Sequence, residues 1–164
     1  MPGRVRDAYI EIMDRLSRVA GICAAALLVI SILVVCDMIV VRYILNQSTV
    51  WQTEFVVYAI TAATLIGSPY VLLTNGHVAV TLLPEALGGT AGRLIRLAGS
   101  LAALGFCALL AYSGWYYFLE AFNKGWTSDT VWAVRMWIPV SALPVGMTLL
   151  SLQYLAEILR PDRE

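Results

Sequence analysis

The sequence predicts an all-α membrane protein with four transmembrane helices, and three observations carry that prediction. Hydrophobic residues make up 60% of the chain and charged residues only 13%, against about 25% charged in ordinary soluble domains. Four apolar runs come close to the ~20 residues that a helix needs to cross a bilayer; they cover residues 19–41, 55–73, 97–119 and 137–156. The basic residues, finally, are distributed unevenly among the segments between these runs.

The first run contains one charged residue, Asp37, and the other three contain none. Although the first run follows a basic N-terminal segment, it is longer than the 7–15 apolar residues of a signal peptide, and no small-residue cleavage site follows it. We therefore interpret it as a retained span. With their flanking residues, the four spans of this single membrane domain are expected at 19–44, 52–74, 92–120 and 136–159.

The basic residues predict the orientation, because Lys and Arg are enriched on the cytoplasmic side of membrane proteins. One side of the predicted membrane carries Arg4, Arg6, Arg15, Arg18, Arg93, Arg96, Arg160 and Arg163, and the other carries Arg42, Lys124 and Arg135. Eight basic residues against three place both termini in the cytoplasm.

Two shorter segments have the pattern of amphipathic helices that lie on the lipid surface. In residues 1–18 the apolar side chains recur at helical spacing, and charged side chains occupy most other positions. Residues 76–89, "GHVAVTLLPEALGG", follow an Asn-Gly turn and end in Gly88-Gly89. The sequence therefore predicts an N-terminal and a mid-chain interfacial helix in contact with membrane lipid.

Chemistry-bearing residues are scarce. His77 is the one histidine, whereas haem held between helices needs two axial ligands and a zinc site needs three or four. No phosphate-binding loop, metal-ligand spacing or Ser/His/Asp set is present, so we expect no enzyme activity, cofactor or metal. The net charge is zero and no basic tract occurs, which argues against binding of nucleic acid.

Asp37 is the one acidic residue inside an apolar run, and acids within a membrane are functional candidates. Arg42 follows five residues later, about 140° around a helix, so it is not a regular same-face partner. Three interpretations stay open for Asp37: an acid at the membrane interface, a structural pair with a basic group elsewhere, or an ion site.

Helix packing is expected to depend on small residues. Gly21 and Ala25 share one helix face, as do Gly99 and Ala103, and such spacing allows two helices to approach closely. Pro69 removes a backbone hydrogen bond and predicts a bend in the second span. We expect a flattened scaffold rather than a compact bundle, because a subunit that is built around a partner need not bury its faces internally.

The polar stretch between the first two spans, "RYILNQSTVWQTE", places Arg42 and Tyr43 at one edge and Trp51 and Glu54 at the other. All five tryptophans fall at or near the same predicted outer face; they are Trp51, Trp115, Trp126, Trp132 and Trp137. Trp is normally enriched at both interfaces, so this one-sided distribution also suits a surface for an external partner.

These motifs resemble the small membrane subunit of tripartite ATP-independent periplasmic (TRAP) transporters. The family shows an Arg-aromatic pair after the first span, then Trp and Glu at the start of the second, matched here by residues 42–43, Trp51 and Glu54. Its Gly-His-hydrophobic segment is matched by residues 76–78, and the closing "WIPVSALPVGMTLLSLQYL" resembles its fourth span. The chain departs from the family at Thr81, where many members have an acid, and in "KGWTSDT" (124–130).

The resemblance implies a multi-pass protein of the bacterial inner membrane that acts as a scaffold. A periplasmic binding protein would deliver an organic acid, a large multi-span subunit would carry it in symport with an ion, commonly sodium, and this chain would support the large subunit. Arg42 and Glu54 are expected to pair with each other or with the large subunit. The residues expected at interfaces with partners are Asp37, Arg42, Tyr43, Trp51, Glu54, His77, Trp126 and Trp132.

Two alternatives come from other classes of protein. One is a self-contained, homo-oligomeric secondary transporter that uses Asp37 as its intramembrane acid, as small multidrug exporters use a carboxylate in their first span. The exporters are generally shorter and carry a central glutamate, whereas Asp37 is off-centre. The other alternative, a membrane anchor for a redox enzyme, is disfavoured by the single histidine.

Overall fold

The computed structural model describes residues 2–74 and 89–160. The described chain is helical, with α1 over Pro2–Tyr43, α2 over Val50–Leu73, α3 over Gly89–Lys124, α4 over Trp137–Val140 and α5 over Ala142–Leu159. Four stretches are long and apolar enough to cross a membrane: Arg4–Tyr43, Val50–Leu73, Leu97–Lys124 and Trp137–Leu159, the last comprising α4 and α5. The all-α prediction with four spans is confirmed. Residues 76–88 of the predicted mid-chain segment lie outside the described residues.

The first helix is much longer than a span. Its 42 residues extend about 63 Å at 1.5 Å per residue, whereas the hydrocarbon core of a bilayer is about 30 Å thick. Residues 2–18, which the sequence suggests as a separate interfacial helix, are continuous with the span. The chain between Arg4 and Ala20 contains neither glycine nor proline, so no residue there favours a helix end.

The ends of α1 and α3 have local causes. Asn46 follows α1 in the left-handed conformation, with φ +49°, which Asn tolerates better than most residues. Gly125 follows α3 with φ +63°. Its N–H donates to the Phe122 carbonyl and the Trp126 N–H donates to the Ala121 carbonyl, the hydrogen-bond pattern of a Schellman motif.

The helices pack in an open, flattened order. Helix α2 lies between α1 and α5, α3 packs against α5 and the short α4, and α3 contacts neither α1 nor α2. We call the end of the molecule that carries residues 44–49 and 125–136 the loop end, and the opposite end, where α1 begins and α5 finishes, the terminal end. This layout agrees with the flattened scaffold expected from the sequence.

Small residues allow the closest helix contacts. A Cβ atom added to Gly21 of α1 would lie 2.5 Å from the Tyr70 ring of α2, and one added to Gly146 of α5 would lie 2.6 Å from the Leu65 carbonyl oxygen of α2. A Cβ atom added to Gly114 of α3 would lie 3.2 Å from the backbone nitrogen of Pro144 in α5, a tight but less extreme contact. By contrast, a Cβ atom on Gly99 or Gly105 would meet nothing within 4 Å, so the α3 surface there is open.

Candidate functional site

The loop end carries a small hairpin over residues 126–136. Its two arms are joined by hydrogen bonds from the Met136 N–H to the Trp126 carbonyl, 2.8 Å, and from the Ser128 N–H to the Val134 carbonyl, 2.9 Å. The tip turns at Ala133, whose φ of +47° is unusual for alanine. The hairpin thus holds its exposed tip in a fixed conformation above the helices.

Two contacts fix this hairpin to the first turns of α2. The Trp51 and Trp132 rings meet edge to face with their centroids 6.3 Å apart, a favoured aromatic geometry. The Ser128 hydroxyl donates to Glu54 Oε2 at 3.3 Å. Both tryptophans keep exposed area, 44% for Trp51 and 39% for Trp132. We call Trp51, Glu54, Ser128 and Trp132 the loop-end surface.

Glu54 has unused capacity for hydrogen bonding. While its Oε2 atom accepts from Ser128, its Oε1 atom is buried and accepts no hydrogen bond within the described chain. Gln52 is 2% exposed, and its Oε1 atom is likewise without a donor. A buried acceptor without a donor costs free energy, so these two oxygens are unfavourable positions within the described chain.

Trp126 belongs to the base of the hairpin rather than to its tip. Its ring meets Tyr117 of α3 edge to face at 5.6 Å, and the Lys124 ammonium lies 5.7 Å from the centre of the same ring. Trp126 therefore holds the hairpin on α3, whereas Trp132 presents area outward.

The predicted interface residues of α1 lie apart from the loop-end surface. Arg42 and Tyr43 are exposed in the last turn of α1, and Asp37 is exposed on its side. No ion pair joins Arg42 to Glu54 in the structure, although both are described. The reason is the direction of each side chain around α2. Thr53 faces α1, where its hydroxyl donates to the Met38 sulfur. Glu54 is the next residue, about 100° further around the helix, and it faces the hairpin. His77 lies outside the described residues.

The terminal end contains a polar network that the sequence analysis missed. Gln153 of α5 is fully buried; its Oε1 accepts from the Ser17 hydroxyl at 2.7 Å and its Nε2 donates to Asp14 Oδ1 at 3.3 Å. Arg160 also donates to Asp14 Oδ1, at 2.6 Å. One turn or more towards the N-terminus, the Tyr9 hydroxyl donates to the Leu152 carbonyl at 2.9 Å.

This network fastens the protruding part of α1 to α5. Its partners are more than 130 residues apart in the sequence, so no local pattern indicates the pairing. The available signal is Gln153 itself, an uncharged polar residue inside the last apolar run. A buried side-chain amide in a membrane helix needs hydrogen-bond partners. Gln153 therefore predicts a polar contact between helices, but the sequence does not show which residues take part.

Side chains that could ligate a metal are scattered in the part of the chain that the structure describes. Within the described residues no group of three or more His, Cys, Asp or Glu side chains lies close enough to hold a metal ion. The three cysteines are free, with Cys23 and Cys36 exposed and Cys107 buried. The arrangement suits contact with other proteins: an exposed aromatic tip with a carboxylate beside it, on a scaffold held together by small residues and one buried network.

Comparisons with known proteins agree with this reading. The sequence model of the family described as "Tripartite ATP-independent periplasmic transporters, DctQ component" matches residues 31–164. A curated relative, the "C4-dicarboxylate TRAP transporter small permease protein DctQ" of Vibrio cholerae serotype O1, is 22% identical over 138 residues. That match covers 71% of this chain and spans 60% of the relative's length. No solved structure matches.

The matched region contains three of the four helices that could cross a membrane, together with the C-terminal part of α1 and the whole loop-end surface. The family is a transporter component and not a family of enzymes, and with the four apolar helices it indicates a protein of the inner membrane. The chain belongs to the DctQ component family of tripartite ATP-independent periplasmic transporters.

Proposed function

We propose that this chain is the small membrane subunit of a TRAP transporter. In this proposal it holds a large multi-span subunit in the bilayer and contributes outer surface for a periplasmic substrate-binding protein. The complex takes up an organic acid, driven by an ion gradient, with sodium as the coupling ion. Both termini lie in the cytoplasm, as the basic residues predict, so that the loop end faces the periplasm.

The observation that carries this proposal is how little of the spanning surface the chain covers itself. Between 17% and 33% of the residues are buried in the most apolar window of each spanning helix, and α3 packs against α4 and α5 but not against α1 or α2. A helix bundle that worked alone would enclose a site between its helices. Here the outward faces stay open, to lipid and to any larger membrane protein that packs beside the chain.

The loop-end surface supports the docking role. Trp is among the residues enriched at the energetic centres of protein interfaces, and Trp51 and Trp132 are held in place before any partner arrives. Glu54 lies beside this aromatic pair and already accepts from Ser128 of the hairpin, so a carboxylate borders the same surface. A surface of this kind loses little conformational entropy on binding.

The homo-oligomeric transporter is less favoured. Its proposed centre, Asp37, is a single exposed carboxylate on α1 that forms no ion pair within the described residues. Family membership also points to an assembly of several different subunits.

Reconstitution tests the proposal. Liposomes would contain the large subunit with or without this chain, with the binding protein outside and an inward sodium gradient, and uptake of a radiolabelled C4-dicarboxylate would be measured first, because the relative is named for that substrate. We expect uptake only when all three proteins and the gradient are present. Equal uptake without this chain would contradict the proposal, and uptake by this chain alone would favour the homo-oligomeric alternative.

The docking role has its own test. Trp132→Ala is expected to raise the binding-protein concentration needed for half-maximal uptake by about tenfold, the effect of losing an interface anchor, while the large subunit still co-purifies. Tyr112→Ala is the matched control, because Tyr112 is an aromatic residue of α3 with 76% exposure that lies away from the loop-end surface. If the two substitutions raised the binding-protein concentration for half-maximal uptake equally, the proposed docking role of the loop-end surface would be contradicted.

A further inference from the structure

Helix α1 presents three different faces. Ser17, Ala20, Ala24 and Ser31 are buried and lie along the side that packs in the bundle. About 110° to one side, Leu28, Ile32 and Cys36 line a groove whose other wall is Val56 and Ile60 of α2. About 110° to the other side lie Val19, Cys23, Ala26, Ile30, Leu33 and Asp37, all of them exposed. We call the side with Leu28, Ile32 and Cys36 the groove face, and the side that contains Asp37 the Asp37 face.

The Asp37 face is apolar except for one carboxylate. Asp37 forms no ion pair or side-chain hydrogen bond within the described residues. It lies six residues before the end of α1 at Tyr43, about 9 Å along the axis. A carboxylate on the lipid-facing side of a spanning helix is unfavourable, and acids in spans generally face protein or water.

The direction of the side chain adds to this cost. In a helix each Cα–Cβ bond tilts towards the N-terminus, and the C-terminus of α1 is at the loop end. The short Asp37 side chain therefore leans towards the middle of the bilayer and away from the nearer membrane surface. A long side chain could bend back to the head groups, but an aspartate has too few bonds to do so.

We propose that the Asp37 face of α1 is where a transmembrane helix of the large subunit packs, and that this helix presents a basic side chain to Asp37. The proposal rests on the proposed function and names the surface on this chain that the partner covers. Cys23 and Ala26 on the same face are small, so the partner helix could approach closely. The Asp37 carboxylate then fixes the register and depth of the contact, because one charge pair satisfies both groups only at one relative height.

The two exposed faces allow a matched crosslinking experiment. A photoreactive amino acid would be placed at Ile30 or Leu33 on the Asp37 face, and at Leu28 or Ile32 on the groove face. Ile30 and Leu28 are both 44% exposed, and Leu33 and Ile32 are 63% and 62% exposed. The members of each pair, Ile30 with Leu28 and Leu33 with Ile32, are at most two residues apart in the helix. Their heights along the helix and their exposures are therefore nearly equal, and they differ mainly in the side of α1 on which they lie.

After illumination of membranes that contain the whole transporter, we expect the Asp37-face positions to crosslink to the large subunit, and the groove-face positions to do so much less. Asp37→Asn and Asp37→Leu should lower the amount of co-purified large subunit by about three- to twentyfold, the range for an interhelical polar contact in membranes. Cys36→Ser, one residue away on the groove face, should leave it unchanged.

The remaining outcomes separate this inference from the proposed function. If the large subunit co-purifies but crosslinks from the groove face alone, or from neither face, the inference is overturned and the proposed function stands. Crosslinks from the Asp37 face to a second copy of this chain, or full co-purification with Asp37→Leu, would also overturn it. If the unaltered chain brings down no large subunit, both proposals fall.

Discussion

At the scale of single residues, Gln153 shows why an apolar helix retains a polar side chain. Its amide accepts from Ser17 and donates to Asp14, and the same Asp14 oxygen accepts from Arg160. Gln153 and Ser17 are buried and would otherwise lack a partner, which costs more free energy than the hydrogen bond itself contributes. The main effect of the network is therefore to fix the position of α1 relative to α5, and its net contribution to the free energy of unfolding is smaller.

Replacement of Gln153 tests this account. Gln153→Ala is expected to lower the free energy of unfolding by about 1–3 kcal/mol, because Ser17 and Asp14 lose a partner and a cavity forms. Ser151→Ala is the control: the Ser151 hydroxyl donates to the Met147 carbonyl within α5 and to no other helix. The measurement is the melting temperature of the purified chain in detergent, and equal shifts for both variants would contradict a role for the network.

At the scale of elements, the contact between α2 and α5 depends on a proline and a glycine from different helices. Pro69 has no N–H, so the Leu65 carbonyl one turn earlier lacks its usual helical donor. Gly146 of α5 lies against that same carbonyl, so close that a Cβ atom would be 2.6 Å from its oxygen. The contact replaces a lost hydrogen bond with close backbone packing, which weak Cα–H···O attraction also favours.

This contact predicts an asymmetry among the glycines. Gly146→Ala should destabilise the chain by about 1–3 kcal/mol, since backbone atoms have to move apart. Gly105→Ala should cost nothing, because no atom lies within 4 Å of the added Cβ and alanine favours helix over glycine by about 1 kcal/mol in soluble helices. Melting curves of the two variants in the same detergent give the comparison. A loss for Gly105→Ala equal to that for Gly146→Ala would show that the packing account is wrong.

The spans themselves could be predicted from the sequence, because the bilayer requires about 20 apolar residues for each helix. Their packing could not. Gly21 and Gly114 pack against other helices, whereas Gly99 and Gly105, with the same chemistry in the same kind of run, do not. Small-residue spacing is common in membrane helices, so it indicates that close contacts exist without identifying them.

The same limit applies to the candidate site. The sequence places Trp51, Glu54 and Trp132 at one predicted face, and the structure brings them together at the loop end. The partner of Glu54, however, is Ser128 and not Arg42. Ser128 lies in the 126–136 hairpin, 74 residues away in the sequence, so the pairing depends on tertiary packing that the local sequence does not reveal.

At the scale of the whole molecule, the flattened layout and the two specialised ends form one arrangement. The terminal network fastens α1 to α5, glycines bring α2 against α1 and α5, and α3 is left with open faces. The polar contacts of the terminal network thus join helices of this chain to one another, while the apolar outward faces of the helices stay uncovered. This layout is consistent with the proposed role as a subunit that packs beside a larger membrane protein.

The most direct test of this account is the composition of the complex that the chain forms. The chain would be tagged at its C-terminus, purified from its native membranes in mild detergent, and measured by native mass spectrometry. The account predicts a single large, multi-span membrane protein bound in one-to-one ratio. Recovery of the chain alone, as a stable homo-oligomer, would contradict it.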